Sequence, residues 1–82
     1  MVKIWGKSNC SFCDKAKELC MQYHLKYEYI SVDDIERLLD LHELVPKANT
    51  VPQIFWNNKY IGGYTEFASE VENTRSFGQE SF

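Results

Sequence analysis

Apolar and polar residues recur along the chain with two different periods, and each period predicts a type of secondary structure. Residues 2–5 are short, apolar and partly β-branched, and Gly6 follows them, which predicts a buried strand. From Phe12 onward the apolar residues recur at the spacing of one helix face. This face predicts a helix of about three turns and consists of Phe12, Ala16, Leu19, Cys20 and Tyr23. Aromatic and polar side chains alternate in residues 26–31, which predicts a second strand.

The segment that follows predicts a second helix and a third strand. Asp33 and Asp34 place negative charge at a helix start, where free backbone N–H groups favour it. Pro46 ends this helix, whose apolar face is expected to consist of Ile35, Leu38, Leu39 and His42. Residues 51–56 predict a strand in which Pro52 stands near the start, a position where proline is tolerated.

A hairpin and a third helix complete the pattern. Asn57-Asn58 is a favourable two-residue turn because asparagine tolerates positive φ, and residues 59–61 form the returning strand. Gly62-Gly63 interrupts that strand, and Thr65 is the expected N-cap of the last helix. The apolar face of this helix consists of Tyr64, Phe67, Ala68 and Val71.

The predicted order of elements is therefore β-α-β-α-β-β-α, in an α/β domain of residues 1–75. Residues 76–82 show no periodicity and predict a flexible C-terminal tail. The first β-α-β unit implies parallel strands joined by a right-handed crossover, and the hairpin adds an antiparallel pair. The simplest packing is a four-stranded mixed sheet flanked by three helices that cover both of its faces.

Length and composition exclude several classes of protein. Eighty-two residues leave room for one domain, and two Trp, five Tyr and five Phe exclude a disordered chain. No apolar stretch approaches the ~18–20 residues that span a bilayer, and the N-terminus turns polar too early for a signal peptide. A cytoplasmic location is therefore expected. The net charge of −3 argues against nucleic-acid binding, although residues 1–17 carry four lysines against one aspartate.

The candidate chemistry lies in the motif Cys10-Ser11-Phe12-Cys13. A third cysteine makes a closed disulfide framework a poor fit, whereas Cys-x-x-Cys inside a β-α-β pattern predicts redox chemistry. Cys10 would stand at the start of the first helix, close to Lys7 and Lys15. Helix N–H groups and lysines stabilise a thiolate and lower its pKa below the free value of about 8.5. Cys10 is therefore expected to attack, and Cys13 to resolve the mixed disulfide that forms.

Zinc is the alternative for these cysteines, because Cys10, Cys13, Cys20 and His24 supply four possible ligands. A helix through this segment would separate Cys13 from His24 by ~16 Å along its axis, so a zinc site requires that the helix be absent. Cys20 lies on the apolar helix face, which favours a small buried side chain over a regulatory thiol. His24 and His42 lack partners suited to a catalytic base and are interpreted as surface or packing residues.

Four segments together make the chain resemble the glutaredoxin family over about residues 2–73: Lys7-x-x-Cys10-Ser-Phe-Cys13, Thr50-Val51-Pro52, residues 53–61, and Gly62-Gly63-Tyr64-Thr65-Glu66. The resemblance is to short dithiol glutaredoxins and implies a thioredoxin-like fold. It also implies an enzyme that uses glutathione as co-substrate to reduce protein disulfides and glutathione mixed disulfides through Cys10 and Cys13. The implied glutathione-binding residues are Lys7, Phe12, Thr50, Val51, Pro52, Gly63, Tyr64 and Thr65.

The resemblance also implies roles for parts of this site. Val51 would pair its backbone with the cysteinyl part of glutathione, next to a cis Pro52. Glutathione carries two carboxylates, for which Lys7 is a natural partner. The helix that starts near Thr65 offers N–H groups to the γ-glutamyl carboxylate.

The glycyl carboxylate has no obvious partner in this sequence. In the family a basic or amide side chain of the second helix often binds it, and the matching position here is Leu39, which cannot serve. Arg37 and Lys47 are the two candidates to replace it.

Two further functions remain open from the sequence. Ser11 stands where the family commonly has proline, which permits a [2Fe–2S] cluster held between two chains by Cys10 of each chain and two glutathiones. The second alternative is an electron donor to ribonucleotide reductase that is reduced by thioredoxin reductase and is indifferent to glutathione. The expected partners are disulfide-containing or glutathionylated proteins, with no nucleic acid and no membrane, and the chain is expected to be a monomer.

Overall fold

The computed structural model describes the backbone of residues 1–80 and the side chains of residues 1–74. The seven elements are β1 (Val2–Gly6), α1 (Ser11–Gln22), β2 (Tyr27–Ser31), α2 (Ile35–Leu44), β3 (Gln53–Trp56), β4 (Lys59–Gly62) and α3 (Tyr64–Glu80). The predicted order of elements is confirmed. None of the helices in this part of the chain is long and apolar enough to cross a membrane.

The C-terminal helix is longer than its periodicity predicts. The structure continues α3 to Glu80, whereas a tail was expected from residue 76. The rest of that expected tail, residues 81–82, lies outside the described residues. The flexibility of the tail and the domain limit at residue 75 stay predictions.

The four strands form one mixed sheet in the order β2-β1-β3-β4. β1 runs parallel to β2, where Ile4 lies opposite Tyr29, and antiparallel to β3, where Ile4 lies opposite Ile54. β3 and β4 are antiparallel and are joined at Asn57-Asn58, whose φ angles are 51° and 68°. Two successive positive φ values are those of a type I′ hairpin turn, so the predicted turn is confirmed.

α1 and α3 pack side by side against one face of the sheet. The buried residues of this layer are Val2, Ile4, Ala16, Cys20, Ile54, Phe67 and Val71. Phe67 of α3 meets Trp56 of β3 edge to face, with ring centroids 5.7 Å apart. Because α1 is held against the central strand β1 by this layer, the start of α1 has a fixed position beyond the end of β1.

α2 lies toward the other face of the sheet, at the edge strand β2. Side chains alternate along a strand, so Trp5 points away from the layer that contains Ile4, and it borders a surface depression with Asp34 and Arg37 of the α2 start. Helices therefore flank both faces, as predicted.

The predicted apolar face of α2 is wrong in part. Leu41 is the buried residue of the helix, with 1% of its surface exposed, and Leu38 is half-buried. Ile35 and Leu39 are 63% and 58% exposed, and His42 is also exposed. A helix at the edge of a sheet covers it with a narrow stripe, and the stripe here follows Leu41 and Leu38.

The start of α3 also differs from the prediction. The helix begins at Tyr64, so Thr65 lies inside its first turn and is not the N-cap. Gly63 takes the cap position, and its N–H donates to Glu66 Oε1 at 2.8 Å. Gly62 has φ +124°, a conformation that other residues rarely adopt, and it turns the chain directly from β4 into α3. Because glycine permits this sharp bend, α3 begins at Tyr64, one residue before the expected N-cap Thr65.

Candidate active site

Cys10 and Cys13 form a disulfide at the start of α1, with Cα atoms 5.2 Å apart. Cys10 is the N-cap residue, in an extended conformation, and its carbonyl oxygen accepts the N–H of Asp14 at 3.0 Å. The backbone N–H of Cys13 lies 3.2 Å from the sulfur of Cys10. Cys10 is partly exposed, whereas Cys13 is completely buried. A molecule approaching from solvent therefore reaches the sulfur of Cys10 first.

The burial of Cys13 depends on a glycine in the neighbouring strand. A Cβ atom on Gly6 would lie 2.8 Å from the sulfur of Cys13 and would also collide with the side chain of Tyr29. Gly6 is itself buried, and its carbonyl oxygen accepts the N–H of Val32 at 2.8 Å. The last position of β1 therefore has to be glycine for Cys13 to pack against it.

The loop between β1 and Cys10 is held by the segment that leads into α2. The hydroxyl of Tyr29 donates to the carbonyl oxygen of Lys7 at 2.8 Å, and the N–H of Ser8 donates to Asp33 Oδ2 at 3.0 Å. The hydrogen bond from the Ser8 backbone, with further help from its side chain, from Ser31 and from the charge of Lys7, lowers the pKa of Asp33. This loop presents the Lys7 side chain to solvent.

All the predicted glutathione-binding residues except Lys7 line one small groove of about 200 Å³, which also includes Glu66. The groove lies next to Cys10, because the carbonyl oxygen of Val51 is 3.9 Å from Cys10 Sγ. The Val51–Pro52 peptide bond is cis, as the resemblance implied. The rings of Phe12 and Tyr64, which both line the groove, contact each other in a tilted arrangement with centroids 5.9 Å apart.

Lys7 lies in a second, larger groove of about 690 Å³, which shares Thr50 and Val51 with the small one. Lys47 lines the same larger groove. Arg37 does not, since it borders the separate depression beside Trp5 and pairs with Asp40 at 2.9 Å. The structure thus brings Lys47 and Lys7 together and leaves Arg37 apart.

This groove is supported by a buried polar residue, Gln53, which the sequence pattern does not predict as part of the site. Only 6% of its surface is exposed, and its amide Nε2 donates to the carbonyl oxygen of Thr50 at 3.0 Å. The hydroxyl of Tyr60 donates to Gln53 Oε1. The sequence signal is a polar residue directly after Pro52 at the start of an otherwise apolar strand. Gln53 ties the Thr50 backbone, and with it the wall of both grooves, to β4.

Positive charge surrounds the start of α1. Lys15 Nζ lies 5.0 Å from the centroid of the Phe12 ring, which is half exposed. Lys17 pairs with Asp14 at 3.3 Å and therefore offsets the acid of the first helical turn. Anionic ligands and a thiolate are both favoured at such a helix end.

The zinc alternative for the cysteines is wrong, because it required the absence of α1. Cys20 is buried in the core, where burial raises the pKa of its thiol to about 11, and His24 is exposed beyond the end of the helix. Across the described part of the chain, no group of three or more His, Cys, Asp or Glu side chains is placed to hold a metal ion. His42 is exposed and lines the larger groove.

The comparison with known proteins agrees with this architecture. The family model for glutaredoxin matches residues 2–61. The chain is 38% identical over 81 residues to Glutaredoxin-2 of Schizosaccharomyces pombe, which covers 94% of this chain and 69% of that protein. It is 37% identical over 76 residues to Glutaredoxin 1 of Escherichia coli, which covers 84% of this chain and 89% of that protein.

The fold of this chain is also similar to solved glutaredoxin structures. The structure of reduced Escherichia coli glutaredoxin superimposes with a TM-score of 0.75 at 32% identity, and covers 92% of this chain and 96% of that one. Sequence and fold therefore point to the same family over most of the chain, and the Cys10–Cys13 pair lies within the matched region. The chain belongs to the glutaredoxin family.

Proposed function

We propose that the protein is a glutathione-dependent thiol-disulfide oxidoreductase that reduces protein disulfides and glutathione mixed disulfides through Cys10 and Cys13. The observation that carries the proposal is the asymmetric cysteine pair: a partly exposed Cys10 at a helix N-cap, beside a buried Cys13, next to a groove lined by the expected ligand residues. A buckwheat glutaredoxin has been solved in complex with glutathione, and its fold matches this one with a TM-score of 0.76 at 23% identity.

The proposed reaction on a glutathione mixed disulfide uses Cys10 alone. Its thiolate attacks the glutathione sulfur, a disulfide forms between Cys10 and glutathione, and the protein leaves as a thiolate. The thiolate of a second glutathione then attacks the glutathione sulfur on Cys10. Oxidised glutathione leaves, and Cys10 returns to the thiolate.

The reduction of a protein disulfide requires both cysteines. Cys10 attacks one sulfur of the substrate and remains bound to it, while the other substrate sulfur leaves as a thiolate. Cys13 then attacks the sulfur of Cys10, which frees the second substrate thiol and forms the Cys10–Cys13 disulfide. Proximity gives Cys13 the advantage over an external thiol in this step. Two glutathiones reduce the disulfide in the next cycle and leave as oxidised glutathione.

Glutathione has two carboxylates, and the two ends of the site fit them. The first N–H groups of α3 have no partner within the helix, so those of Tyr64 and Thr65 would bind the γ-glutamyl carboxylate. Lys7 and Lys47 in the larger groove would bind the glycyl carboxylate, in preference to Arg37, which is paired with Asp40. The Val51 backbone lies between the two ends, beside Cys10.

Cysteine variants test this assignment. Cys10→Ser is expected to abolish both activities, since Cys10 is the one partly exposed cysteine among the residues whose side chains are described. Cys13→Ser should retain deglutathionylation and impair the reduction of protein disulfides. Cys20→Ser is the matched control, because its thiol is buried away from the groove, and both activities should remain. Activity that survives in Cys10→Ser and is lost in Cys13→Ser would reverse the roles of the two cysteines.

The electron source separates this proposal from the ribonucleotide reductase alternative. A coupled assay compares glutathione plus glutathione reductase with thioredoxin reductase as the reductant. Turnover with glutathione supports the proposal, and turnover with thioredoxin reductase alone would assign the chain as a glutathione-indifferent donor. The proposal also includes a cytoplasmic location, a monomeric state and ribonucleotide reductase as a candidate protein substrate of the glutathione-dependent enzyme.

The [2Fe–2S] alternative is compatible with the exposure of Cys10, which would be the cluster ligand of each chain. Such a cluster takes four ligands, commonly cysteine thiolates, and each chain offers Cys10 as its one partly exposed cysteine among the described residues. Two chains and two glutathiones would complete the set. Reconstitution with iron and sulfide tests this, and a colourless product would remove the alternative.

A further inference from the structure

α2 exposes two neighbouring apolar side chains, Ile35 and Leu39, which are 63% and 58% exposed. They stand four residues apart and therefore lie one above the other on the same side of the helix. Single exposed apolar residues are common on protein surfaces and need no explanation. The position of this pair relative to the reactive cysteine distinguishes it from such residues.

The pair continues the apolar wall of the larger groove. At about 100° per residue, the positions around α2 follow one another as Leu41, Leu38, His42, Ile35 and Leu39. The first three line the groove, in which Val51 also takes part. Since the Val51 carbonyl oxygen lies 3.9 Å from Cys10 Sγ, a path leads from the reactive sulfur across the groove, past Lys7 and Lys47, to the apolar side chains on the outer side of α2.

Negative charge lies at the far side of this path. Continuing around the helix, Glu43 and Glu36 follow Leu39. Both side chains are exposed, and neither forms an ion pair within the part of the chain whose side chains are described. The third acid of the helix, Asp40, pairs with Arg37. A molecule that crosses α2 from the groove thus meets apolar side chains first and carboxylates afterwards.

We propose that this path, Leu38–His42–Ile35–Leu39 with Glu36 and Glu43 at its end, is a docking surface for polypeptide substrates. The occupant is an extended segment that carries apolar side chains beside its target cysteine and a basic residue a few positions further out. A helix with its side chains is ~10–12 Å wide and an extended chain rises ~3.3 Å per residue, so about three or four residues cross α2. The inference rests on the proposed function, because the cysteine of the segment has to reach Cys10.

Small substrates do not use this surface. The residues proposed to bind glutathione end at Lys7 and Lys47 in the groove, whereas Ile35 and Leu39 lie beyond it on the outer side of the helix. The surface therefore distinguishes protein substrates from glutathione mixed disulfides of small thiols, although Cys10 attacks both.

The test compares a double variant, Ile35→Ser with Leu39→Ser, with a control variant, Met21→Ser with Leu44→Ser. The control residues are 57% and 56% exposed, so each pair removes a similar exposed apolar area without disturbing the core. Two synthetic peptides serve as substrates, each with one intramolecular disulfide. One carries Leu, Leu and Lys beyond the second cysteine, and the other carries Ser, Ser and Glu. The mixed disulfide of glutathione and cysteamine is the small substrate.

The wild-type protein is expected to reduce the Leu-Leu-Lys peptide with a kcat/KM about tenfold above that of the Ser-Ser-Glu peptide, the effect of about 1.4 kcal/mol of binding. The double variant should lose most of this preference through KM and keep its rate on the small substrate. The control variant should match the wild type. A wild type without preference, or a double variant that also slows on the small substrate, would overturn the proposal.

A binding measurement keeps the result separate from the redox chemistry. A fluorescent Leu-Leu-Lys peptide with serine in place of both cysteines is titrated with each protein, and its anisotropy is followed. The expected Kd rises severalfold in the double variant, and an unchanged Kd would overturn the docking surface whether or not the protein is active. If the wild-type protein shows no glutathione-dependent turnover, while Kd still differs between the wild type and the double variant, the proposed function is refuted and the docking surface is not.

Discussion

Replacing Gln53 by methionine tests how the buried amide supports the site. Methionine has a similar length and cannot donate to the Thr50 carbonyl or accept from the Tyr60 hydroxyl. Each hydrogen bond contributes about 0.5–1.5 kcal/mol net. Thr50 and Tyr60 are both exposed and can turn to water, so no partner is left buried and unpaired. We expect a loss of about 1–3 kcal/mol in the free energy of unfolding, or roughly 4–24 °C in Tm for a domain of this size.

The functional effect should appear in substrate binding. Without the 3.0 Å hydrogen bond from Gln53 Nε2, the Thr50 backbone loses its anchor, and the groove wall beside Cys10 loosens. The KM for a glutathione mixed disulfide should rise severalfold in Gln53→Met while kcat stays nearly constant, because the start of α1 is untouched. Steady-state kinetics and thermal unfolding, followed on the same preparations, check both parts.

Tyr60→Phe is the matched control for this variant. It removes only the hydrogen bond from the Tyr60 hydroxyl and keeps the contact between Gln53 and Thr50. Because it leaves the buried Gln53 Oε1 without its donor, it should lower stability by about 1–3 kcal/mol, and it should leave KM unchanged. If Tyr60→Phe raises KM as much as Gln53→Met, or if Gln53→Met loses stability with an unchanged KM, the anchoring role of Gln53 is refuted.

Three further predictions concern single residues. His24 follows the C-cap of α1 and has φ 57°, a conformation that strains residues other than glycine. In denaturant titrations, the free energy of unfolding of His24→Gly should therefore exceed that of His24→Ala by about 0.5–1 kcal/mol, and equal values would contradict this backbone strain. Burial raises the pKa of Cys20 from 9.0 to about 11; the unfolded thiol therefore loses its proton first, and stability should fall as the pH rises from 9.0 to about 11. Cys20→Ala should show a flatter profile in this range, and an identical profile would exclude Cys20 as the cause. Lys7→Glu should raise the KM for glutathione severalfold at low salt and less at high salt, whereas a variant that matches the wild type at low salt would make Lys7 a plain surface residue.

The sequence by itself determined the features that depend on neighbours along the chain. The order of the seven elements follows from hydrophobic periodicity. The hairpin turn follows from the tolerance of Asn57 and Asn58 for positive φ. The position of Cys10 at the start of α1 follows from the helix pattern that begins beside it. Each of these depends on interactions within about four residues, which a linear pattern contains.

Only the tertiary structure decided which side of each helix or strand is buried and which side lines a groove or faces solvent. The periodicity of α2 fits several faces, and its packing against the edge strand β2 buries Leu41 while Ile35 and Leu39 stay in water. Whether Lys47 or Arg37 lines the larger groove depends on where the chain after α2 returns to it. Such choices arise between segments far apart in sequence, since burial and pairing depend on the partner surface, and a one-dimensional pattern does not contain that surface.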